Sequence, residues 1–264
     1  MGKSLGFHVY TTKYIGGKED IKYILKNLDV LPKKYMPTKY EINNYRNLFS
    51  IDNLDDILEK SSNRNFYSVN LSVYKIKRIF EMAVSFKRKP LPNYDVGPNR
   101  IFHRISFYID DGIGCINRDK EFNILRSLWI NYCEVFEAIY GQCILYAPYQ
   151  NSNNYLGWGH GICISRLHWQ NYFGKPFAKV FDYDKDVIRN NCVIEKCQSG
   201  ATILTLKANP TDITLRTDIE RQVINSLGNE YFWNENDNRL NPKIEYKLIE
   251  LIHEVMYDPI EIQI

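Results

Sequence analysis

The tightest constraint on this chain is an abrupt change of hydrophobic period near its middle. Ile101, Ile105, Phe107 and Ile109 alternate with Arg104, Ser106, Tyr108 and Asp110. That period of two is a half-buried strand. Soon afterwards Phe122, Leu125, Trp129, Tyr132, Phe136 and Ile139 recur at helical spacing, after a capping Asn117 and before a terminating Gly141. A strand and a helix with one apolar face each must bury those faces together. The pair excludes an all-helical, an all-strand and a disordered chain.

The same mixture runs through the whole sequence. A first strand is expected over residues 5–11 and a helix over 18–28, with Ile21, Ile24, Leu25 and Leu28 on one face. Residues 32–50 read as a long connection and 52–60 as a short helix. Over 67–86, Val69, Leu71 and Val73 alternate, and so do Phe80, Met82, Val84 and Phe86, in opposite phase. A hairpin with a turn or bulge near 75–78 reconciles the two sets. Residues 161–165 read as a short apolar strand. A second hairpin is expected over 193–206, turned at Gln198-Ser199-Gly200. Thr217 and Glu220 form a capping box for a helix closed by Gly228, and a last helix follows Asn241-Pro242. With no repeat and no linker, residues 1–264 read as one α+β domain: a mostly antiparallel sheet with helices packed on it.

Charge and cysteine usage narrow the function classes. Net charge is only +3, but residues 1–100 carry 18 basic and 10 acidic side chains and the remainder 16 and 21. Such asymmetry can orient a charged partner, while the small total gives little support for nucleic-acid binding. The six cysteines form no C-x-x-C and no zinc spacing, so a reduced, cytoplasmic chain with no metal is expected. The start, Met1 to Phe7, lacks a signal-peptide core, and no stretch approaches a membrane span. Aromatic residues are abundant, with 20 Tyr and 13 Phe. Most fall at core spacing, and Tyr146, Tyr149, Tyr155 and Tyr183 are left over for surfaces.

Chemistry-bearing motifs are sparse. Gly157-Trp158-Gly159-His160-Gly161 lacks the dinucleotide spacing and reads as a turn; Gln198-Ser199-Gly200 lacks a nucleophile elbow. Glu250-x-x-His253 is one half of a di-metal pattern. Asp110-Asp111 at a strand end could hold a divalent cation for a nuclease or hydrolase, but Asp-Gly also favours a plain turn. Phe181-Asp182-Tyr183-Asp184-Lys185-Asp186 is the best surface feature: aspartates alternate with a tyrosine, as a contact with a basic protein requires.

Longer motifs carry a resemblance. Leu167-His168-Trp169-Gln170-Asn171-Tyr172-Phe173-Gly174-Lys175-Pro176 resembles the PW-x-x-YFG signature of bacterial immunity proteins, with His168 in place of proline. Gly200 to Leu206, then Asn209-Pro210-Thr211-Asp212, resemble the strand and P-x-D turn that follow there. Asp218 to Leu227, then Gly228-Asn229-Glu230-Tyr231-Phe232-Trp233, resemble the closing helix and the LG-x-x-YFW motif. Order and spacing agree best with the immunity protein 52 family over residues 65–235, and residues 1–64 match loosely.

The resemblance implies an α+β protein without catalytic residues or cofactor. It implies binding to a cognate secreted antibacterial toxin, often a nuclease, encoded next to it. In that layout Trp169, Tyr172 and Phe173 would pack a short helix on the sheet, ended by Gly174. Partner contacts are expected at Asp182, Tyr183, Asp184, Asp186, Tyr149 and Tyr155. Two other readings are a metal-dependent hydrolase using Asp110 and Asp111, and an antiviral-defence accessory binding protein.

Overall fold

A computed structural model describes residues 4–63, 67–88, 102–146, 164, 166–232, 256 and 259. Ten strands form one sheet in the order β3-β2-β4-β5-β6-β1-β7-β8-β10-β9, and every neighbouring pair is antiparallel. They are β1 Leu5–Thr11, β2 Lys39–Ile42, β3 Tyr45–Leu48, β4 Ser68–Tyr74, β5 Phe80–Lys87, β6 His103–Ile109, β7 Tyr140–Leu145, β8 Gln170–Phe173, β9 Cys192–Lys196 and β10 Thr202–Leu206. Seven α-helices accompany them among the described residues: α1 Lys18–Lys26, α2 Asp55–Ser61, α3 Gly112–Ile116, α4 Asp119–Val135, α5 Lys175–Ala178, α6 Asp186–Asn191 and α7 Ile213–Leu227. The α+β architecture expected from the change of period is the one observed.

Side chains on a strand alternate between faces, and β1 uses both. Leu5, Phe7 and Val9 join the core beneath α1 to α4. There Phe7 stacks on Phe107 with ring centroids 4.8 Å apart, and Trp129 of α4 donates from Nε1 to the His8 carbonyl at 2.9 Å. Tyr10, of opposite parity, joins a second core with Tyr140, Phe173 and Leu204 beneath α5 to α7. The sheet is thus covered by α1 to α4 on one face. Its β8–β10 end is covered by the later helices on the other.

The hairpin over 67–86 forms as β4 and β5. Its phase change is absorbed at Lys77, whose φ is 68°. The β9–β10 hairpin also forms, with Gly200 at φ 87°. Cys115, Cys133, Cys143 and Cys192 are buried free thiols. Among the described residues no helix is long and apolar enough to cross a membrane.

Several sequence expectations are corrected. The connection over 32–50 contains β2 and β3, joined by Asn43 and Asn44 at φ 43° and 78°. Two positive φ values are what a two-residue hairpin needs, and Asn tolerates them. The central helix ends at Val135, not before Gly141, which lies in β7. Asn117 ends α3 rather than starting α4. Asp212, not Thr217, caps α7 by accepting from the Leu215 N–H at 3.0 Å, because the chain turns into the helix at Asn209-Pro210. The segment at Tyr172 is the interior strand β8, not a short helix, since it pairs with both β7 and β10. The readings at 157–163 and 241–253, and Trp233, lie outside the described residues.

Candidate functional site

The predicted acidic loop is built by the same period-two logic as a strand. Phe181 and Tyr183 turn inward, 4% and 5% exposed, against Phe173, Phe177, Tyr231 and Phe232. Burial raises the Tyr183 phenol well above its ordinary range. Tyr183 therefore anchors the loop and offers no ring to a partner, which corrects its assignment as a contact residue. Asp182, Asp184 and Asp186 point outward and are exposed. Asp182 accepts from the Asp184 N–H at 3.0 Å, and Asp184 pairs with Arg189 at 2.7 Å. Lys185 donates to the Ser226 carbonyl at 2.5 Å. Local cations thus offset much of the acidity. Tyr149 and Tyr155 lie outside the described residues.

The Asp110-Asp111 pair behaves as a turn. Asp111 caps α3 by accepting from Gly114 N–H at 3.0 Å and pairs with Arg118 at 3.1 Å. Asp110 is exposed. Among the described residues no group of three His, Cys, Asp or Glu side chains converges to hold a metal ion.

A different surface carries an open groove. The strand β4 sends Val69, Leu71 and Val73 into the core, and this leaves Ser68, Asn70 and Ser72 on the opposite face. Beside them β2 presents Glu41, and the β2–β3 turn presents Asn43 and Asn44. With Tyr67 these residues line an open groove of about 540 Å³. Six of the seven lining side chains are amides, hydroxyls or a phenol. Tyr, Ser and Asn supply adaptable hydrogen bonds and rigid contact area in antibody-type paratopes.

The groove floor is stiff. Asn43 accepts on Oδ1 from the Asn70 N–H at 3.0 Å and donates from Nδ2 to the Ser68 carbonyl at 3.3 Å. That cross-link extends the β2–β4 pairing past its last ladder residue. Glu41 is held by Arg46 at 2.8 and 3.3 Å, a two-pronged contact that fixes the carboxylate along the groove wall. Tyr40, beneath, donates to Asp56, and Lys60 sits 4.7 Å over the Tyr45 ring. Rigid polar groups on strands cost little to order on binding. In the sequence, Val69, Leu71 and Val73 reveal β4 through its buried half, and the outward half carries no motif. The signal for the rest of the groove is Asn43-Asn44, which marks the β2–β3 hairpin and so brings β2 alongside.

The chain matches no family model, no curated protein and no solved structure.

Proposed function

We propose that this protein is a binding module that neutralises a cognate antibacterial toxin in the cytoplasm, and that the β2–β4 groove is its main contact. The observation that carries the reading is the groove itself: a braced, exposed concavity lined by six neutral hydrogen-bonding side chains and the Arg46-paired Glu41. Such a lining suits hydrogen-bonded recognition of a polar surface. The motif order around Trp169, Gly174 and Gly228 supports the immunity assignment. The toxin, probed as the product of the adjacent gene, would seat a polar loop in the groove. Asp182 and Asp186 stand at the β8–β10 end of the sheet, away from the groove, and act as a separate, peripheral acidic patch.

The test is binding of the purified chain to that product by calorimetry. Asn70→Arg fills the groove from an exposed position and is expected to weaken binding by about 2 kcal/mol or more, the scale of a central contact. Asp182→Lys with Asp186→Lys, remote from the groove, is expected to slow association by less than about tenfold and to alter its salt dependence, as charges outside the contact do. If Asn70→Arg binds as the native chain does while the aspartate pair abolishes the complex, the groove is not the contact.

A further inference from the structure

A second cluster lies away from the groove, where the chain enters β8 against α7. Arg166 forks onto Glu220, with Nε to Oε1 at 3.1 Å and Nη2 to Oε2 at 2.5 Å. One turn before Glu220 on α7 stands Arg216, only 6% exposed. Its Nη1 reaches the Pro210 carbonyl at 3.4 Å, and its Nε is buried with no hydrogen-bond partner among the described residues. His168 is also 6% exposed, and its Nε2 is likewise buried and without a partner. Its backbone is clamped by Asn171, which accepts from the His168 N–H at 2.9 Å and donates to its carbonyl at 2.8 Å.

Buried polar atoms without partners are rare, because each forfeits its hydration without replacement. Here two occur in one neighbourhood. Arg216 and Arg166 both act electrostatically on His168, together with His8. The charges do not balance either. Among the described residues, two guanidiniums face one carboxylate, and that carboxylate is already gripped by Arg166. The surroundings penalise the extra cation: burial, then Arg166, lower the Arg216 pKa, with Glu220 opposing. Burial, followed by the same guanidiniums and His8, keeps His168 neutral. Arg166 is the rim of the cluster, with its side chain 37% exposed.

We infer that His168 and Arg216 form a binding site for a small oxyanion of the phosphate class, with Arg166 at its entrance. An oxyanion supplies what the cluster lacks: acceptors for the Arg216 Nε–H and a His168 Nε2–H, and the missing negative charge. Charge-assisted bonds from a guanidinium are the strong ones. Glu220 is kept from repelling the ligand by its fork with Arg166. The oxyanion could arrive free or as a phosphomonoester, and the two differ in whether the entrance admits a substituent. This inference does not rest on the toxin reading, since the cluster and the groove share no residue.

The experiment is calorimetric titration of the full chain with inorganic phosphate near pH 7, with the His168 ring followed by NMR. Sodium chloride at equal ionic strength is the control, and adenosine monophosphate is the second arm. Saturable binding with a shift of the His168 ring resonance is expected for phosphate. Binding should weaken at least about tenfold in Arg216→Met, which keeps the stem and removes the charge. Arg216→Lys should retain part of it. Binding of the nucleotide as well identifies a phosphomonoester site, and exclusion of it identifies a free-anion site. If phosphate gives no saturable binding to the native chain up to about 10 mM, or leaves the His168 ring unmoved, the inference is overturned. Should Arg216→Met fail to fold, the native titration and ring shift decide alone.

Discussion

Replacing Gly174 by alanine is expected to unfold the protein or to cost it about 3 kcal/mol or more, the range reserved for steric failure in a packed interior. Gly174 stands between β8 and α5 and donates its N–H to the Ile139 carbonyl at 2.9 Å. A Cβ there would lie 2.1 Å from the Ala138 carbonyl oxygen, 3.0 Å from that of Ile139 and 3.1 Å from the Ile139 Cα. All three are backbone atoms, so no side chain can swing away. The segment they belong to joins α4 to β7, two of the most buried parts of the fold. Gly200→Ala provides the contrast. Gly200 is at φ 87° with open space around its Cβ, so only backbone strain of about 1 kcal/mol is expected. Denaturant midpoints for the two variants check the prediction. Equal losses would mean that the approach of β8 to residues 138–139 is not as described.

Acid should destabilise the protein through its buried histidines, beginning at milder pH than carboxylate titration. His8 bridges Ser106 at 2.9 Å and Tyr146 at 2.7 Å inside the sheet, and burial, aided by Arg104, lowers its pKa to about 3. His103 lies against Tyr14 and the Met256 carbonyl. Burial lowers its pKa to about 4, with the Met256 carbonyl opposing and Lys87 adding to the shift. His168 is lowered as well. Above about pH 6.5 each is neutral whether the chain is folded or not, and stability is unaffected. Below that, the unfolded chain takes up protons that the folded chain refuses. Each unit then removes about 1.4 kcal/mol per histidine until the folded pKa is reached. At pH 4 the loss is on the order of 3 kcal/mol for each of His8 and His103, against a total stability of about 5–15 kcal/mol for a typical domain. Unfolding free energy measured from pH 7 to 4 should fall steadily from about 6.5, and His8→Gln should flatten the slope by one proton. A curve level down to pH 5 contradicts the burial of these rings as neutral groups.

How much of this was legible in the sequence depended on which faces each strand shows to solvent. β4, β5 and β6 declared themselves by alternation, because each buries one face more deeply than the other. β7 and β8 are buried on both faces, as YGQCIL and QNYF, so no alternation exists to read. β7 was further disguised by Ile139, which continues the helical spacing of α4 although the helix has ended at Val135. β3 is exposed throughout, Tyr45 and Leu48 included, so only the Asn-Asn turn before it marks it.

The candidate site divides along the same line. The outward serines and asparagine of β4 could be inferred from its inward valines. Their union with Glu41, Asn43 and Asn44 depends on pairing β2 to β4, with α2 lying between them in the chain, and long-range pairing is not written in local periodicity. Tyr183 shows the reverse error. Alternation of Asp182, Tyr183 and Asp184 suggests a surface pattern, yet alternation is what sends every second residue inward.

We propose that the chain protects a cell by binding a toxin through the β2–β4 groove. The most direct test is growth of cells that express the adjacent gene's product with the native chain, with Asn70→Arg, or with neither. Native protein should restore growth, and Asn70→Arg, though folded and equally abundant, should not. Failure of the native chain to restore growth or to bind that product would contradict the toxin reading, and full protection by Asn70→Arg would contradict the groove.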